Sequence, residues 1–410
     1  MKKYVIVGNG IAAAGCIEGI RSVDQEGEIT VVSKENHAAY YRPLISYYLE
    51  GKTDPGRMKY GGEDFYEKNR VHVLYGQQAV HIHHGSSEIE LDNGERIPYN
   101  CVCLAAGSSP FIPPVEGLDS VKEKYSFMTL DDAKALEKAV HSESRVLIVG
   151  AGLIGLKCAE GLAARTANIT VCDLAGRVLS SILDQECAQI MQSHLETHGI
   201  QFYLSDSAVR FEGNTAYMKS GAVIRFDVLV LAVGVRANTS LIQEIGGEVN
   251  RGIIVDTAMR TSVKSIYAAG DCVEGMDIST GQKRVLAILP NAYMQGHTAG
   301  VNMAGGSELF DQALPMNAIG FFGLHAMTAG SYEGELYEEK TDHSIKRLFT
   351  KDDLLKGFIL IGRDERAGIY TSMIREKTPL SSVNFELMKR TASTIAFPSE
   401  IRRKKFGGVV

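Results

Sequence analysis

Twice in this chain a short β-branched run ends in a glycine turn that opens a helix, and a second strand follows. In the first copy Tyr4-Val5-Ile6-Val7 leads into Gly8-Asn9-Gly10-Ile11-Ala12-Ala13, a helical pattern to about Val23, and the strand Ile29-Thr30-Val31-Val32. In the second, Arg145-Val146-Leu147-Ile148-Val149 leads into Gly150-Ala151-Gly152-Leu153-Ile154-Gly155, a helix to about Arg165, and Ile169-Thr170-Val171-Cys172. The first glycine makes the turn. The second lets backbone approach a pyrophosphate held at the helix N-terminus, and the small third residue, Ala13 or Gly155, lets helix and strand pack closely. One such match is a weak signal. Two, each with its strands and helix in order, predict an α/β chain with two Rossmann-like dinucleotide-binding domains.

At 410 residues the chain has room for two or three domains. The buried-strand run Val102-Cys103-Leu104-Ala105-Ala106-Gly107 precedes a proline-rich crossing, Pro110-Phe111-Ile112-Pro113-Pro114, and Val228-Leu229-Val230-Leu231-Ala232-Val233-Gly234 marks a return. Ile266-Tyr267-Ala268-Ala269-Gly270-Asp271 is a further strand ending in Gly-Asp, and from about Asn317 the chain becomes strand-rich, notably from Ser344 to Ile361. These punctuations predict a first domain in two pieces, 1–112 and 236–316, a second at 113–235, and a smaller α+β domain at 317–410.

The net charge of −6 gives no general affinity for nucleic acid. Lys2 and Lys3 before an apolar run resemble a secretory leader, but Gly8-Asn9-Gly10 interrupts it, so strand, turn and helix is the better reading. No apolar stretch reaches the roughly 18 residues of a membrane span. The seven cysteines include no close metal-type pair, so no metal site is expected. They read as small buried residues in a reducing cytoplasm.

The motifs together resemble the pyridine nucleotide-dependent FAD oxidoreductases of the two-dinucleotide-binding-domain flavoprotein superfamily. Within it, the chain is most similar to the NADH:rubredoxin reductase and nitrite reductase flavoprotein branch. The resemblance rests on the two glycine units, Tyr41-Arg42-Pro43-Leu44, Ala105-Ala106-Gly107, Ala232-Val233-Gly234, Tyr267-Ala268-Ala269-Gly270-Asp271, Pro290-Asn291-Ala292 with Gln295-Gly296, and Arg366-Ala367-Gly368-Ile369. It implies FAD on Gly8, Gly10 and Ala13, with Arg42 and Pro43 flanking the flavin and Ala79 and Val80 meeting the adenine through backbone. Ala106, Gly107, Asp271 and Pro290 complete that set. It implies NAD(H) on Gly150, Gly152, Gly155 and Gly234, with Asp173 taking the ribose hydroxyls. A carboxylate there repels a 2′-phosphate and favours NADH, although Arg177 lies close by in sequence. The segment from 317 resembles the superfamily's interface domain, which packs near the flavin of its own chain or of a dimer mate.

The departures from the family pattern carry as much information. The second strand of the FAD unit normally ends in an acidic residue, and here Lys34 stands there, with Glu35 next door to serve the ribose after a small shift. Relatives that reduce disulfides or peroxides carry a cysteine at the place of Tyr47, and many carry Glu at the place of Lys157. Lys157 either sets a cation beside the flavin, tuning it together with Tyr47, or pairs with Glu160. The chain has no tryptophan to cover the flavin. Tyr40, Tyr41, Tyr47 and Tyr48 either replace that cover or pack under a loop.

The expected function is therefore an oxidoreductase that passes hydride from NADH to FAD and then electrons to a small carrier such as rubredoxin or ferredoxin, or to a separate redox subunit, without a redox-active cysteine. A homodimer is a further partner. The alternatives are an NADH oxidase or peroxidase, and a redox-responsive FAD- and NAD-binding protein. The basic tail Ile401-Arg402-Arg403-Lys404-Lys405-Phe406 either steers an acidic carrier or is a solvated terminus.

Overall fold

The computed structural model describes residues 1–363 and 366–405. The two buried β-branched runs read from sequence are the central strands of two parallel sheets. In the first sheet the order is Ile266–Ala268, Cys101–Leu104, Lys3–Val7, Glu28–Ser33, Val71–Tyr75, with every neighbouring pair parallel. In the second it is Ile200–Leu204, Ile169–Asp173, Val146–Val149, Val228–Leu231, Lys124–Tyr125, again all parallel. Near-continuous apolar strands suit sheets covered on both faces. In each sheet the chain leaves the central strand through a glycine turn, at the carboxyl edge where open α/β sheets bind ligands.

The described chain divides into two compact units, 1–174 with 200–276 and 283–313, and 175–199 with 277–282 and the described residues from 314 onward. The first unit holds both parallel sheets. Its two crossings pair with each other: Ser108–Pro110 runs antiparallel to Val235–Ala237. Within it the helices Ile11–Val23 and Leu289–Ala304 pack tightly along their length through facing glycines.

The second unit is built on a five-stranded antiparallel sheet, ordered Met316–Phe321, Leu324–Gly330, Leu354–Ile361, Ser344–Lys351, Glu335–Thr341. Helix Ala367–Arg375 belongs to its apolar core, where the Tyr370 hydroxyl donates to the Met388 carbonyl at 2.8 Å. Arg347, only 8% exposed, is satisfied by three carboxylates, Glu338 at 2.6 Å, Asp184 and Glu186. The last two flank the start of helix Gln185–Thr197 and fix it in this unit. The basic tail forms helix Ser399–Lys405, and Phe406 lies outside the described residues. Among the described residues no helix is long and apolar enough to cross a membrane.

Candidate functional site

The first cradle lies where strand Lys3–Val7 hands over to helix Ile11–Val23. Gly8 has φ +108°, and a Cβ there would strike the carbonyl of Ala105, so the turn admits only glycine. Gly10 is the N-cap, has no side-chain capping bond above it, and faces open space. Ala13 is fully buried one turn on. Unfilled backbone N–H groups at a helix start, open to solvent through a missing side chain, fit a pyrophosphate.

Other sequence-selected residues gather on the same sheet edge. Gly107, φ +61°, follows the neighbouring strand, and Gly270, φ +84°, precedes Asp271 on the next. Gln295 accepts the Gly270 N–H at 2.9 Å and so fixes the backbone beside Asp271. Burial raises the Asp271 carboxyl above the usual range, while the charge of Arg42 pulls it down. Pro290 opens helix Leu289–Ala304. Ala79 and Val80 lie off that edge, at the start of strand Ala79–His83 in a separate three-stranded antiparallel sheet, Ala79 buried and Val80 40% exposed.

Glu35 has partners that sequence did not anticipate. Its two oxygens take Arg42 Nη2 at 2.7 Å and the Tyr40 hydroxyl at 2.7 Å. Arg42 also donates to the Met128 carbonyl at 2.7 Å, and Tyr40 accepts from Leu130 N–H at 2.9 Å. Glu35 thus braces the 35–42 loop that carries Arg42 and Pro43, and Lys34 stands exposed at the strand end.

The second cradle repeats the first. Gly150, φ +118°, would set a Cβ on the carbonyl of Ala232, and Gly155 packs on the carbonyl of Gly150. Gly152 is the N-cap of helix Leu153–Ala163 and faces open space. Asp173 closes the adjoining strand, and its Oδ2 accepts the Ala151 N–H at 2.6 Å. Gly234, φ +118°, is exposed after strand Val228–Leu231. The turn thus fits a second pyrophosphate, and the carboxylate sits beside it.

Tyr47 and Lys157, selected separately, come together. The Lys157 ammonium lies 5.1 Å from the centre of the Tyr47 ring and is ion-paired with Glu160. Lys52, paired with Glu50, stands 5.8 Å from the same ring. Lys52 and Glu50 carry no sequence signature that would have found them. All seven cysteines are free and buried. Burial pushes the thiols of Cys172, Cys187 and Cys272 up to about 12.

The family model for pyridine nucleotide-disulphide oxidoreductases matches residues 2–296. The chain belongs to that family. It is 32% identical over 392 residues to the epsilon subunit of NADH-dependent phenylglyoxylate dehydrogenase from Aromatoleum evansii, covering 92% of this chain and 93% of that one. It is 30% identical over 391 residues to the assimilatory nitrate reductase electron transfer subunit of Bacillus subtilis (strain 168), covering 92% of this chain and spanning 50% of that longer protein. Its fold matches the crystal structure of a covalent putidaredoxin reductase–putidaredoxin complex with a TM-score of 0.86 at 22% identity, over 95% of each chain. The chain is accordingly an NAD(P)H-dependent flavoprotein oxidoreductase, with FAD and NAD(H) as its cofactors.

Proposed function

We propose that this protein moves electrons between NADH and a separate redox protein, either a small carrier of the rubredoxin or ferredoxin kind or an iron–sulfur subunit, without using a thiol of its own. Bound FAD supplies the exchange between two-electron and one-electron chemistry. In this assignment 1–112 and 236–316 hold FAD through the Gly8–Gly10 turn, Arg42 and Asp271. Residues 113–235 hold NADH through the Gly150–Gly155 turn and Asp173, and 317–410 form the interface domain.

The observation that carries the reading is the state of the cysteines. All seven are buried and unpaired, and the family resemblance implies that Tyr47, which has two lysines beside its ring, stands where thiol-using relatives carry a cysteine. A buried thiol with a raised pKa is a poor nucleophile and electron relay. The full-length relative named as a dehydrogenase subunit supports a partner that brings its own redox centre. Free thiols also suit a reducing compartment such as the cytoplasm.

The test is to alkylate the native holoenzyme and follow NADH-driven reduction of a ferredoxin. Unchanged carrier reduction, with little turnover on disulfides, peroxide or oxygen, is the expected result. Loss of carrier reduction on alkylating a single cysteine, with FAD retained, would overturn the thiol-free route.

A further inference from the structure

The middle residue of the first glycine turn is held from both sides. Asn9 Nδ2 donates to the His37 carbonyl at 3.1 Å, and its Oδ1 accepts the Tyr66 hydroxyl at 2.7 Å. The same hydroxyl accepts the Ala39 N–H at 2.8 Å. The His37 carbonyl can only accept, so the Asn9 NH2 turns toward it and the Asn9 oxygen takes the Tyr66 proton. That fixes the amide with its oxygen toward Tyr66 and its NH2 toward His37. Burial pushes the Tyr66 phenol up to about 12, so the proton stays in place at neutral pH. Edge-on contacts hold the ring, 5.3 Å from Phe65 and 6.5 Å from Tyr75 between centroids. Two backbone bonds, Tyr41 N–H to Met58 O at 2.9 Å and Tyr60 N–H to Ala39 O at 2.8 Å, join the neighbouring segment to the same loop.

Among the described residues the second turn shows no such side-chain brace at its middle residue. Ala151 stands where Asn9 stands in the first, and Asp173 holds its N–H instead. Two cradles alike in backbone are therefore stiffened by different groups.

We propose that Tyr66 and Asn9 are positioning residues for FAD, setting the Gly8–Gly10 turn in its binding conformation before the cofactor arrives. The proposal rests on the assignment of FAD to the first cradle. Glycine turns lose the most freedom on becoming ordered, and a turn already ordered binds more tightly by the amount of that loss. The bond network reaches the first turn and not the second, so its effect falls on FAD and spares NADH.

The experiment titrates the full-length apoprotein with FAD and, separately, with NADH. Tyr66→Phe removes the donor to Asn9 and weakens FAD about fivefold, the scale of one net hydrogen bond. Asn9→Ala, which also loses the bond to His37, weakens FAD at least as much, and the double variant is no weaker than Asn9→Ala alone, because the Tyr66 link is already cut. Asn9→Asp keeps the shape, turns a carboxylate oxygen toward the His37 carbonyl, and weakens FAD at least as much. NADH affinity stays within about twofold in all of them, which a general loss of structure would not allow. Unchanged FAD affinity in Tyr66→Phe, or parallel losses for FAD and NADH, would overturn the positioning role. A wild-type apoprotein that takes NADH but no FAD would overturn the cradle assignment beneath it.

Discussion

The Lys157 ammonium is ion-paired with Glu160 and lies over the Tyr47 ring at 5.1 Å. The pair is largely shielded, its side chains 16% and 8% exposed. Removing Lys157 takes a counter-charge from a buried carboxylate that also feels Lys52, at a cost of about 1–3 kcal/mol. Lys157→Met should therefore destabilise the protein by that order in urea unfolding, and adding Glu160→Gln should recover most of the loss. In the holoenzyme, losing the cation should lower the flavin potential by roughly 30 mV, equivalent to about 1.4 kcal/mol for two electrons. A redox titration of Lys157→Met, with FAD content intact, showing no change would place Lys157 outside the field of the flavin.

Asp173 has two tasks, and substitution separates them. Its Oδ2 holds the Ala151 N–H, and the carboxylate is the proposed acceptor for ribose hydroxyls. Asp173→Ala should lower kcat/KM for NADH by about tenfold or more and narrow the preference over NADPH. Asp173→Asn keeps an acceptor for Ala151 while removing the charge that repels a 2′-phosphate. Steady-state kinetics with both coenzymes should show that variant losing discrimination with a smaller loss in NADH turnover.

Four glycines let the two long helices of the first unit touch. A Cβ at Gly15 or Gly19 would strike the carbonyls of Tyr293 or His297, and one at Gly296 or Gly300 those of Ala12 or Cys16. One helix starts at the first cradle and the other at Pro290, so their crossing sets the spacing of two parts of the candidate FAD site. Gly300→Ala should cost about 1–3 kcal/mol, the range for overpacking, measured by urea unfolding of the apoprotein. Gly10→Ala, where a Cβ meets nothing, should leave apoprotein stability within about 1 kcal/mol and weaken FAD.

Both cradles and both parallel sheets were legible in sequence because their signals are local: a buried strand, a turn that only glycine can make, a helix. What was not legible depends on partners far along the chain. The family resemblance makes Glu35 the candidate for the ribose, and nothing local in the sequence signals its bonds to Arg42 and Tyr40. Its neighbour Arg42 is anchored in turn on Met128. The Pro110 and Gly234 crossings stand apart in sequence as separate linkers, and the antiparallel pairing of Val235 with Pro110 has no local trace. Helix Gln185–Thr197 joins the second compact unit through Arg347, more than 150 residues on. Tyr66 sits in a short polar segment with nothing to distinguish it. The i, i+4 glycines at 15 and 19 and at 296 and 300 were visible, but only the crossing of their helices gives the spacing meaning.

Asp271 makes a prediction whose sign depends on pH. Burial raises its carboxyl in the folded protein, and the Arg42 charge only partly opposes this. A carboxyl with a raised folded pKa binds its proton more tightly folded than unfolded. Its contribution to stability is therefore greatest in acid and is lost as pH rises from the unfolded value, about 3.9, through the folded one. Asp271→Asn keeps the shape and removes the titration. The apoprotein variant should melt higher than wild type at pH 7 to 8, with the gain shrinking toward pH 4. In the proposed site the same change removes a group that contacts FAD, so FAD should bind more weakly even as the apoprotein becomes more stable. Opposite signs are what a residue held for function rather than for folding produces. Melting curves of the apoprotein across pH, with FAD titrations beside them, check both halves. An apoprotein that Asp271→Asn destabilises at pH 8 would mean that Arg42 fully compensates the buried charge, and that the residue serves the fold.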